Sequence, residues 1–174
     1  MNILAARKYR SLRQGQLSRD EAETRRLAYA IKDPRSPSAD FATAAREMAA
    51  LIETPCWLIP IPASDGSTRA NTILASLIAA YRPYAQVAQA LRRTRAIESQ
   101  CARHCRNLPA TPPEQHYLKA ATLHLGLRAV YFVDNVATSG NTLRAAHDAL
   151  QRGAGLVFAD AGGNTTAPGQ PSLL

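Results

Sequence analysis

The sequence predicts an α/β protein built as a three-layer, doubly wound, mostly parallel sheet with helices leading into it. Three observations carry this. Short apolar runs near residues 57, 85, 130 and 156 have strand length and composition. Stretches with helical spacing separate them, and strands that alternate with helices build parallel sheets. Two of the runs end in small polar loops that open directly into helices, at residues 63–69 and 138–142. That is how open α/β sheets place ligands at strand carboxyl ends.

Met1 to Gln16 shows little periodicity, and a poorly ordered or partner-dependent start is expected. Ser18 with Glu21 forms a capping box, and Asp20, Glu21 and Glu23 favour a helix start. Leu27, Ala28 and Ile31 mark its inner side, and Asp33-Pro34 ends it. Residues 1–38 are therefore an N-terminal helical and extended segment, ahead of an α/β domain over 39–161 and a Gly/Pro/Ser/Thr-rich tail over 162–174. Phe41, Ala44, Ala45, Met48 and Leu51-Ile52 predict a second helix over 39–52.

Cys56 to Pro62 is an apolar run in which Pro60 belongs near a strand end. The loop Ala63-Ser64-Asp65-Gly66-Ser67-Thr68-Arg69 leads into a helix over 71–81. Residues 84–90 suit a strand, and Arg92, Arg93, Arg95, Arg103 and Arg106 make the next stretch strongly basic. Prolines 109, 112 and 113 argue for a loop, followed by a helix from about 113 to 123. Val130 to Val133 is a buried strand, Leu143 to Gln151 a helix with Gly153 as its C-cap, and Gly155 to Ala159 a final strand.

The chain has 174 residues, a length suited to one domain, and a net charge of +8. A basic excess suits a polyanion such as pyrophosphate, a nucleotide or nucleic acid. Membrane spanning is not expected, since no apolar run reaches about 18 residues. The charged start has no apolar segment behind it, so a cytoplasmic location is expected rather than export. Cys56, Cys101 and Cys105 are three in number, which argues against a disulfide framework. Cys101, His104 and Cys105 are closely spaced, but a tetrahedral zinc site needs a fourth ligand. They read as structural or incidental thiols.

The most informative stretch is Val-Tyr-Phe-Val-Asp-Asn-Val-Ala-Thr-Ser-Gly-Asn-Thr, residues 130–142. Strand, acid, small hydroxyl loop and helix make an anion site from loop amides, a helix N-terminus and hydroxyl donors. The same string also suits an ordinary capped helix behind an acidic strand end. It resembles the phosphoribosyl pyrophosphate motif of type I phosphoribosyltransferases, with Asn135 where that family has a second acid. More thinly, residues 28–160 resemble the ComF-like, competence-protein branch. Ala30-Ile31-Lys32, Ile59-Pro60-Ile61-Pro62, Arg69-Ala70-Asn71 and Leu91-Arg92-Arg93-Thr94-Arg95 with Ser99-Gln100 occupy the corresponding places. The zinc ribbon of many ComF-like proteins has no counterpart, for there is no Cys-x-x-Cys pair.

The resemblance implies the following roles. Asp134 and Asn135 hold the ribose hydroxyls, and Ala137, Thr138, Ser139, Gly140, Asn141 and Thr142 cradle the ribose phosphate. The loop with Ser64 and Arg69 faces pyrophosphate. Arg93 and Arg95 lie on a flexible loop or hood over 91–125 that closes on it. Mg2+ bridges substrate oxygens beside Asp134. The implied activity is phosphoribosyl transfer to an unknown acceptor with pyrophosphate release, through an oxocarbenium-like state. Asn135 and Asp65 cut against catalysis, so enzymatic activity is left open. The alternative is a non-catalytic effector of the same fold that acts with nucleic acid, in DNA uptake or a reverse-transcriptase-associated bacterial defence system. A homo-oligomer or larger complex is compatible with either. Tyr117 could stack on a base but reads as a packing residue.

Overall fold

A computed structural model describes residues 1–10, 15–99, 102–103 and 106–162. Five parallel strands form the main sheet: β1 (Ile3–Lys8), β2 (Cys56–Pro60), β3 (Ala85–Val87), β6 (Ala129–Ala137) and β7 (Ala154–Asp160), in the order β1-β7-β6-β2-β3. A separate antiparallel hairpin joins β4 (Leu91–Arg93) to β5 (Leu118–Ala120). The helices are α1 (Arg19–Ala30), α2 (Ser38–Ala49), α3 (Arg69–Tyr81) and α4 (Asn141–Leu150).

Adjacent residues of β2 serve opposite faces, as the pleat requires. Leu58 packs into a cluster with Leu27 of α1 and its C-cap Ile31, Phe41 and Met48 of α2, and Leu74 and Ile78 of α3. Ile59 packs into a second cluster with Phe132, Val157, Leu143 of α4 and Leu91 of the hairpin. Helices thus cover both faces of a parallel sheet, as a strand apolar on both sides demands. The α1 capping box is present: Ser18 N–H donates to Glu21 at 2.8 Å and Glu21 N–H to the Ser18 hydroxyl at 3.2 Å.

The start of the chain departs from expectation. Residues 3–8 are ordered as edge strand β1, pairing from Ile3↔Gly155 to Lys8↔Asp160. The sequence hides this because the partner strand lies at the far end of the chain and the run contains charged residues. Arg7 is accommodated by a two-pronged pair with Glu47, at 2.7 and 2.6 Å, and by the Phe158 ring 5.4 Å away.

The expected helix over 113–123 is also replaced. Pro113–His116 makes a short 3-10 turn, Tyr117 takes a left-handed conformation (φ 52°), and the chain then extends into β5. A left-handed residue cannot continue a helix, and the hairpin pairing with β4 decides the rest. β6 does not stop at Val133 but runs on through Ala137, with Asp134 paired to Val157 and Val136 to Ala159. The left-handed cap of α4 is Gln151 (φ 55°) rather than Gly153. Gly153 has φ 109° and another role: a Cβ there would lie 2.7 Å from Phe132. Cys101, His104 and Cys105 lie outside the described residues, as do Gln100 and the tail from residue 163. Among the described residues no helix is long and apolar enough to cross a membrane.

Candidate functional site

β2 and β6 are neighbours at the centre of the sheet, and the chain leaves them in opposite directions, β2 toward β3 and β6 toward β7. Pro60 pairs with Val133, so the loops that follow the two strands leave from the same edge. Ligands of open parallel sheets bind at such a reversal point. The two loops singled out by sequence are brought together here.

Asp134 lies half-buried at this edge. Its Oδ1 accepts the Asn135 N–H at 2.8 Å and the Asn71 side-chain amide at 3.2 Å. Burial pushes its carboxyl above the ordinary carboxylate range, against the pull of those two donors and of the Lys32 and Arg93 charges. Asn71 is buried in the first turn of α3 and also donates to Ile61 O at 2.8 Å. Asn135 spends its own Oδ1 on the next backbone N–H, that of Val136, at 2.8 Å.

Ala137 closes the strand and is buried, while Thr138 is exposed. Gly140 is the N-cap of α4 at φ 72°, and no side chain caps the helix. A Cβ on Gly140 would approach Ile3 Cδ1 to 3.3 Å, so the positive φ and the packing under the loop both favour glycine. Asn141 N–H reaches the Ser139 hydroxyl only at 3.3 Å. Ser139, Asn141 and Thr142 are partly exposed around this helix start. Uncapped amides at the positive end of a ten-residue helix can take an anion. Arg144, which the sequence reading passed over, donates to Ser139 O and, at 2.9 Å, to Asn141 Oδ1. Its signal was spacing alone: it stands one helical turn beyond the N-cap.

The two arginines assigned to a closing loop have different surroundings. Arg93 is held by three carbonyls, donating to Ala63 O at 2.7 Å, Pro62 O at 2.9 Å and His116 O. It braces the β2 loop against the 3-10 turn. Arg95 is exposed, with its guanidinium 5.4 Å from the centre of the Tyr117 ring. Tyr117 is 36% exposed, a surface position rather than the packing one expected. Thr111 O accepts Asn141 Nδ2 at 2.8 Å and contacts His116 Nε2 at 3.2 Å, which ties the segment before β5 to the α4 loop. His116 is buried, its pKa lowered by that burial, and its Nδ1 has no partner among the described residues.

Ser64 lies in the loop after β2, and its carbonyl accepts the Ile97 N–H at 2.9 Å. Arg69 opens α3 and is exposed. No group of three His, Cys, Asp or Glu among the described residues could hold a metal by itself. Asp134 Oδ2 has no hydrogen-bond partner among them, and one carboxylate is the donor set of a Mg2+ held mainly by substrate oxygens and water.

The sequence matches no family model, and a comparison with curated proteins finds no significant relative.

Proposed function

We propose that this is a phosphoribosyltransferase-like protein, of the type I fold and nearest to its ComF-like branch, that binds the ribose phosphate of phosphoribosyl pyrophosphate or of a nucleotide. The observation that carries the reading is the position of residues 130–142: Asp134 and the uncapped start of α4 stand at the reversal point of the sheet, beside the loop that follows β2. In this reading the α4 amides, the Ser139 and Thr142 hydroxyls and the Arg144 charge hold phosphate. Asp134 takes ribose hydroxyls, and Mg2+ bridges ligand oxygens there.

Calorimetry with phosphoribosyl pyrophosphate and nucleotides in Mg2+ tests it, wild type against Asp134→Ala. Binding that the variant loses supports the site; equal binding by both proteins removes it. Pyrophosphate release across a panel of bases then tests transfer.

A second reading, binding without turnover, is favoured by Arg93, whose three carbonyl contacts leave it a brace rather than a mobile clamp. An effector acting with nucleic acid gains support from Tyr29, which is 45% exposed with Arg25 and Lys32 over its ring at 5.1 and 5.0 Å. A salt-dependent gel shift with single- and double-stranded nucleic acid tests this arm. Absence of a shift at low salt counts against it.

A further inference from the structure

The loop after β2 is closed on itself. Ala63 N–H donates to Ser67 O at 2.8 Å and Gly66 N–H to Ala63 O at 2.9 Å. Ser67 N–H is taken by the Asp65 carboxylate at 2.8 Å, and Arg69 N–H by the Ser67 hydroxyl at 3.3 Å. Four backbone donors of residues 63–69 are thus spent inside the loop. Its carbonyls are committed too. Arg93 holds those of Pro62 and Ala63, and Ile97 N–H takes that of Ser64. Reopening the loop would break this brace, and a second anion would then meet the Asp65 charge. The start of α3, like that of α4, has no side-chain cap, so what sets the two loops apart is the Asp65 carboxylate inside the first and the Arg144 guanidinium, 2.9 Å from Asn141 Oδ1, beside the second.

We infer that the site takes a sugar monophosphate, of the ribose 5-phosphate or nucleoside 5′-monophosphate class, and has no working pyrophosphate half, because the Asp65 carboxylate takes the Ser67 N–H and sets a like charge in the loop that a second phosphate group would have to meet. This rests on the ribose-phosphate reading above and narrows it. Binding energy then comes from one phosphate and the sugar hydroxyls. A ligand carrying an additional pyrophosphate gains nothing from the loop over 63–69.

The test is titration of the full chain with ribose 5-phosphate, phosphoribosyl pyrophosphate and inorganic pyrophosphate, each at one fixed Mg2+ concentration. It uses wild type and Asp65→Asn, whose amide oxygen can still hold Ser67 N–H while the charge is gone. In wild type, ribose 5-phosphate should bind within about threefold of phosphoribosyl pyrophosphate, and pyrophosphate should not displace it. Asp65→Asn should tighten phosphoribosyl pyrophosphate by roughly tenfold and leave ribose 5-phosphate unchanged, as expected when a like charge is removed. Wild-type preference for phosphoribosyl pyrophosphate by more than about tenfold would overturn this inference while leaving the ribose-phosphate site standing. So would an Asp65→Asn variant that binds it no better. If none of the three compounds binds at millimolar concentration, both readings fall together.

Discussion

Asn71 and Asp134 meet across the sheet reversal: the side-chain amide at the first turn of α3 donates at 3.2 Å to the carboxylate oxygen on β6. The acid needs this donor because burial raises its carboxyl above its ordinary value of 3.8. The folded protein therefore holds the Asp134 proton more tightly than the unfolded chain. This group favours the fold most at pH below 3.8, and the advantage is lost as pH rises through the elevated folded value. Asp134→Asn keeps an oxygen for Asn71 and removes the charge. We expect a higher melting temperature than wild type at pH 7, with the gap closing toward pH 3.5, alongside lost ligand binding. A variant less stable than wild type at neutral pH would contradict the picture of a strained, functional acid.

Arg93→Lys tests the brace. One ammonium cannot reach the Pro62, Ala63 and His116 carbonyls with the spread of a guanidinium. A loss of about 2 kcal/mol in urea unfolding is expected, from the hydrogen bonds to a charged donor that go unmade. Hydrogen exchange should quicken at residues 63–67 and 111–117 together. Faster exchange in only one of these segments would show that Arg93 does not join them.

Gly153→Ala should cost about 2 kcal/mol or more, through overpacking and a positive φ. The added Cβ would lie 2.7 Å from Phe132, at φ 109°. The effect belongs in stability, and ligand affinity measured below the melting transition should stay within about twofold of wild type, since Gly153 lies after α4 and away from its start.

How much of this was legible in sequence depended on where the determining contacts lie. α1, α2 and α3 declare themselves because buried residues recur at helical spacing within each segment, Thr24-Leu27-Ala28, Phe41-Ala44-Ala45-Met48 and Leu74-Ala75-Ile78. The β6-to-α4 motif was legible for the same local reason. β1 was not: Ile3 is buried by residues more than a hundred positions away. Neither was the β4–β5 hairpin, whose two strands are only three residues each and are separated by a long basic stretch. Within the site, residue types named Asp134 and Ser139 but could not show that Arg93 would be tied to carbonyls. That role depends on the loop after β2 and the 3-10 turn arriving on either side of it.

Ile3→Ser probes the hidden strand. Ile3 is 2% exposed and would contact a Cβ placed at Gly140 or at Gly155. The substitution should cost roughly 3 kcal/mol, in the range for emptying a large buried aliphatic site. Because Ile3 underlies the α4 loop, ligand affinity should fall as well. An unchanged melting temperature would mean that β1 is not part of the stable sheet.

The pairing of β1 with β7 also bears on how the chain is made. Ile3 is synthesised before Gly155 and cannot pair with it until nearly all of the described chain has followed. Until then β1 is an unpaired edge with an apolar face, the kind of segment that invites association between nascent chains. Closing so long a loop is slow, because its entropy must be lost before any ladder forms. The completed sheet, and the Ile3 support beneath Gly140 with it, is therefore a late event in folding. The loop before α4 acquires its final footing only when the first and last described strands meet.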